Sequence, residues 1–87
     1  MLKPYNQQEE LTMPYIAIHA YPKDEETQRR LAERISEAVI DVLGCPEKAV
    51  TVSFDAVKPE DWQEKIVKPV IEPNADKMLI VSGEKKY

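Results

Sequence analysis

A helical period bracketed by a start and a stop is what most constrains this chain. Asp24 is placed to cap a helix N-terminus, and Glu25 and Glu26 put negative charge where the helix dipole favours it. Leu31, Ile35, Ala38, Val39 and Val42 then recur at three- and four-residue spacing, which predicts an apolar stripe along one face. Gln28, Arg29, Arg30, Glu33, Arg34, Glu37 and Asp41 fall mostly on the other side. Arg29, Arg30 and Arg34 read as a solvated face balanced by Glu26, Glu33 and Glu37. Gly44 stands where a left-handed residue ends a helix, and Pro46 follows closely.

Strand patterns flank this helix. From Tyr15 to Tyr21 the side chains alternate, with Ile16 and Ile18 on one face and His19 and the tyrosines on the other, until Pro22 ends the run. A second alternation spans roughly 48–56, with Val50, Val52 and Phe54 opposed to Thr51, Ser53 and Asp55. Strand, helix of about five turns and strand make a βαβ unit, which predicts parallel strands and a right-handed crossover. Lys58-Pro59-Glu60-Asp61 reads as a short helix start with Pro59 in the first turn, and Trp62, Ile66 and Val67 as its buried side. Lys68 to Pro73, carrying two prolines, reads as extended, and Met78 to Val81 as a short last strand. The fold class is α+β.

Two strands and one main helix leave a sheet with one bare face and two open edges. At 87 residues the chain needs some supplement to its core. Its single cysteine rules out an internal disulfide, and its single histidine leaves no cluster for a structural zinc. Self-association remains, with the face carrying His19, Thr51 and Ser53 as the surface expected to pack on another copy. The net charge is −4, from 16 acidic and 12 basic residues well interspersed, which argues against a nucleic-acid or anionic-membrane surface. Nowhere does an apolar run approach the ~18 residues of a membrane span. The first thirteen residues have no apolar core for a signal peptide. A soluble, reducing, cytoplasmic setting is expected.

From Met13 onward the chain resembles the 4-oxalocrotonate tautomerase family of small isomerases. The resemblance is carried by Met13-Pro14-Tyr-Ile-Ala-Ile-His at the first strand, Tyr21-Pro22-Lys23 after it, the helix from Gln28 to Gly44, and Val50-Thr-Val-Ser-Phe54. Pro59-Glu-Asp-Trp-Gln63 with Lys68-Pro69 points to the subgroup with a C-terminal extension. It covers nearly all of residues 13–70. Residues 1–12 are then a polar leader, and 13–87 a single tautomerase-like domain assembled as a homodimer or hexamer.

The resemblance implies a keto–enol tautomerase in which Pro14, freed by removal of Met13, is the general base on a small 2-oxo or enol acid. A secondary amine is too basic in water, but burial and nearby cations lower its pKa towards working pH. Lys23 occupies about the place of a family arginine that holds the substrate carboxylate, with charge but no bidentate fork. Thr51 stands where many members carry a second arginine, a departure that favours a monoacid or aryl enol over a dicarboxylate. Trp62 matches the aromatic wall. No metal and no organic cofactor are expected, since proton transfer by a positioned amine requires neither. A decarboxylase or dehalogenase variation also needs a free Pro14. The other reading is a catalytically silent tautomerase-fold protein, its leader genuine and serving assembly or a partner.

The leader decides between these readings. If Met13 precedes Pro14 in the chain, the proline nitrogen is a tertiary amide and takes no proton. Gln8-Glu9-Glu10 can be encoded CAG-GAG-GAG, which contains a purine-rich ribosome-binding element with only Leu11 and Thr12 before Met13. A start at Met13 is therefore expected, and a gene lacking that element would refute it. A retained leader would be tethered across or beside the pocket of Pro14. His19 is expected to be a hydrogen-bonded sheet residue, and Cys45, without a CxxC partner, a structural one.

Overall fold

The computed structural model describes residues 12–87, so the leader expectation lies, but for Thr12, outside the described residues. The chain divides into two compact units, one ending at Ala56 and one spanning Val57–Tyr87.

In the first unit, strand β1 (Tyr15–Ala20) leads to helix α1 (Glu25–Leu43), a 3-10 turn (Glu47–Ala49) and strand β2 (Thr51–Ala56). The strands are parallel as expected, in the register Tyr15 to Thr51, Ala17 to Ser53 and His19 to Asp55. The second strand starts at Thr51 rather than near 48, because Glu47–Ala49 coils into the turn that buries Ala49. Both ends of α1 form as expected. The Asp24 carboxylate accepts from the Thr27 backbone N–H at 3.2 Å and from its hydroxyl at 2.6 Å, while Gly44 adopts φ 73° and its N–H reaches the Ile40 carbonyl at 2.9 Å.

Helix α1 packs against β2. Its sheltered arc is Gln28, Ala32, Ile35, Ser36, Val39 and Ile40, facing the strand side that carries Ile16, Ile18, Val52 and Phe54. This corrects the expected stripe: Ile35 and Val39 face inward, whereas Leu31, Ala38 and Val42 are exposed. The apolar arc of α1 is wider than two strands can cover. The core is correspondingly thin. Among the described residues only Cys45, Ala49, Val57 and Ile66 are buried apolar residues. A half-exposed Ile16 or Ile18 realises only part of the about 1.5–3 kcal/mol that full burial brings.

The second unit begins with helix α2 (Pro59–Trp62), which runs without a break into a π-helix (Gln63–Ile71) and a final turn α3 (Glu72–Asn74). The expected extended path over Lys68 to Pro73 is therefore wrong. Pro69 has no N–H and would crowd the carbonyl four residues back in an α-helix. The chain answers by widening to five-residue hydrogen bonds, with the Glu72 N–H on the Val67 carbonyl. The Lys68 ammonium bonds the Glu64 carboxylate at 2.8 Å, and the Asn74 side chain donates to the Val70 carbonyl at 2.8 Å. Ile66 is the buried residue of this segment, as expected. The expected last strand shortens to β3 (Ile80–Val81), paired antiparallel with β4 (Glu84–Lys85). Ser82 at φ 51° and Gly83 at φ 81° make the two-residue turn that matches strand twist.

Two predictions follow from the caps of α1. A Cβ at Gly44 meets nothing within 4 Å, so Gly44→Ala carries only the left-handed backbone penalty and should lower unfolding free energy by about 1 kcal/mol in urea titrations. The bonds from Thr27 hold the Asp24 carboxyl below its usual pKa. Its stabilisation is thus present above the unfolded pKa and lost as pH falls through the lowered folded value. Asp24→Asn should be less acid-sensitive than the parent chain when melting temperature is followed from neutral pH to below pH ~4.

Candidate active site

Pro14 sits at the entry of β1, half-buried, with its carbonyl accepting the Thr51 N–H at 3.1 Å. That bond extends the ladder one step beyond Tyr15 and sets Pro14 beside the first residue of β2. Met13 immediately before it is held at φ 36°, a left-handed backbone that costs a side-chain-bearing residue about 1 kcal/mol or more. With Met13 attached, the Pro14 nitrogen carries three carbons and has no proton to exchange.

The face of the sheet away from α1 is lined by Tyr15, Ala17 and His19 from β1 and Thr51, Ser53 and Asp55 from β2, all exposed. Parallel register brings these together in rows. The hydroxyls of Tyr15 and Ser53 stand 3.4 Å apart, and His19 Nδ1 lies 3.1 Å from the Asp55 carboxylate. His19 therefore has the hydrogen-bonded sheet position expected of it. Its acidic partner is distant in sequence and was visible only as the polar side of the second alternation. The Tyr15–Ser53 pair was not anticipated; the signal was the same period of two read in parallel register. Cys45 is buried with a free thiol, in keeping with a structural place.

Lys23 lies beyond the opposite end of β1, in the connection to α1, where its carbonyl accepts from the Gln28 side chain at 2.8 Å. Its side chain is exposed. Six strand residues at about 3.3 Å each separate it from Pro14 by on the order of 20 Å along the strand. One copy of the chain does not bring these two residues together. Thr51 is the residue that the fold sets next to Pro14. Trp62 belongs to the second unit, half-buried at the end of α2. Among the described residues no group of three or more His, Cys, Asp or Glu side chains could hold a metal ion, and no helix is long and apolar enough to cross a membrane.

A parallel βαβ unit of this size with a proline heading its first strand defines a class of small α+β proteins. The family described as "Tautomerase enzyme" matches residues 14–65, and this chain belongs to it. Similar proteins include a Tautomerase PptA of Pectobacterium carotovorum subsp. carotovorum (strain PC1), 25% identical over 73 residues that cover 82% of this chain and 96% of that protein. A probable tautomerase of Xylella fastidiosa (strain 9a5c) is 31% identical over 68 residues, covering 77% of this chain and 83% of that one. A Tautomerase PptA of Cronobacter sakazakii (strain ATCC BAA-894) is 28% identical over 73 residues, at 82% and 96%. Membership carries a tautomerase-type function, an isomerase activity.

The His19–Asp55 pair is solvent-exposed on both sides, so its contribution to stability is small. Asp55→Asn should change unfolding free energy by less than about 1 kcal/mol in denaturant titration. A larger loss would mean that the pair is covered in solution.

Proposed function

We propose that the protein is a keto–enol tautomerase whose general base is the Pro14 amine, in the form of the chain that begins at Pro14 after loss of Met13. The observation that carries this reading is that the family match opens on Pro14, the residue heading β1. A terminal proline is a secondary amine. It takes the enol hydroxyl proton as that O–H bond breaks, and returns a proton to the neighbouring carbon as the C=C pair closes on it. The result is the 2-oxo acid with no net change in protons, so the reaction draws on neither metal nor organic cofactor.

Thr51 beside Pro14 offers a hydroxyl and a backbone but no positive charge, which supports a monoacid or aryl enol substrate over a dicarboxylate. Lys23 is the proposed carboxylate holder. Since it lies a strand's length from Pro14 in its own chain, a Lys23 acting at this site comes from another copy. The proposal therefore includes a homo-oligomer, with 13–87 as the tautomerase-like domain. Trp62 is proposed as an aromatic wall residue on the strength of the resemblance alone. A cytoplasmic setting accompanies the reading. In any form that retains Met13 the amide nitrogen is no base, and such a form is a silent member of the fold.

The test is enol-to-keto conversion of phenylpyruvate by forms starting at Met1 and at Met13, with methionine removal verified by intact mass. Activity should appear only in the shorter form, and Pro14→Ala in that form should lower kcat/KM by about 10²-fold or more. Lys23→Ala should raise KM about tenfold with kcat little changed, the signature of a lost ground-state contact. Equal rates in the two forms would remove the amine mechanism.

A further inference from the structure

The turn that carries Lys23 is held more tightly than its exposure suggests. Pro22 stands before it, with a ring that locks its own φ and restricts Tyr21 as well. Asp24 stands after it as the extended cap of α1, at φ −65° and ψ 160°.

The hydrogen-bond ladder of α1 stops one step short of Lys23. The Asp24 carbonyl accepts the first bond, from the Gln28 N–H at 3.1 Å. In a longer helix the Thr27 N–H would serve the Lys23 carbonyl. Here the Asp24 carboxylate takes that N–H at 3.2 Å and the Thr27 hydroxyl at 2.6 Å. The Lys23 carbonyl is met instead by a side chain five residues on, where Gln28 Nε2 donates to it at 2.8 Å.

Gln28 is an unusual residue for its place. It is half-buried at the start of the sheltered arc that continues through Ala32, Ile35, Val39 and Ile40. An apolar side chain would cover the strands there at least as well. Packing already restricts the Gln28 rotamers, so its bond to Lys23 costs little further side-chain entropy. The bond matters for charge placement. A lysine ammonium is a point charge on a four-carbon stem, without a fork to lock it onto a carboxylate. Where the charge falls therefore depends on where the stem is rooted. A root that moves adds lost backbone freedom to the cost of binding.

We propose that Gln28 is a positioning residue for the reaction, holding the Lys23 carbonyl and so fixing the root of the ammonium that binds the substrate carboxylate. The inference rests on the binding role proposed for Lys23, and its test separates the two. Gln28→Met keeps side-chain length and helix propensity but removes the donor. In the form beginning at Pro14 it should raise KM for phenylpyruvate about threefold, with kcat little changed. The methyl ester of phenylpyruvate has the same enol without the charge, and its KM should not move. In a Lys23→Ala background Gln28→Met should add nothing, since the group it positions is gone. Independently of turnover, amide nitrogen relaxation should show the Lys23 backbone order parameter falling from about 0.85 towards about 0.6, with mid-helix values unchanged. An equal rise in KM for acid and ester, additivity with Lys23→Ala, or an unmoved order parameter would overturn the inference. Lys23→Ala raising KM while Gln28→Met has no effect would overturn it alone and leave the role of Lys23 standing. Lys23→Ala leaving KM unchanged would remove both.

Discussion

The parallel pairing of β1 with β2 is the constraint on which the first unit depends. Parallel strands cannot be joined by a tight turn, so the chain must cross over, and α1 is that crossover. One helix covers one face. The opposite face is left to Tyr15, Ala17, His19, Thr51, Ser53 and Asp55, with Tyr15 meeting Ser53 and His19 meeting Asp55 across the strands. The same register ties the Pro14 carbonyl to Thr51 and thereby positions the proline at the head of β1. Its carbonyl is held by the sheet, while its nitrogen projects back towards the preceding residue.

This placement makes the proposed chemistry depend on a single covalent bond. A proline at the head of a strand loses nothing to the ladder by lacking an N–H. As a chain terminus the same residue gains a basic amine, and no other part of the fold need change. The separation of Lys23 from Pro14 adds a second condition. A strand of six residues is rigid and cannot fold back on itself, so on the proposed reading a lysine at its far end serves only a neighbour's proline. In the proposed reaction, catalysis and assembly are thus joined by the length of β1.

The core of the first unit is thin. Helix α1 carries apolar residues over a wider arc than the two strands can accept, and the surplus forms a ridge with charges of both signs on its flank. In the second unit a different mismatch is resolved internally. Pro69 does not break its helix but widens it, because the five-residue bond pattern removes the carbonyl clash that the α-helix would impose.

By itself the sequence determined the local elements of this protein. The Asp24 and Gly44 caps, the alternation in both strands, the helix start at Pro59 and the proline after Met13 are all consequences of side-chain chemistry within a few residues. Family membership was legible for the same reason, since those signals occur in a fixed order. Local pattern also had its limits: two prolines between Lys68 and Pro73 suggested an extended path because propensity counts each proline against an α-helix and takes no account of a wider one. Only the tertiary structure decided which half of the α1 apolar arc turns inward, that Asp55 rather than a near neighbour meets His19, and that Thr51 lies beside Pro14. Each of these depends on where two distant segments lie relative to one another, and that is set by register and packing, which no single stretch of sequence contains.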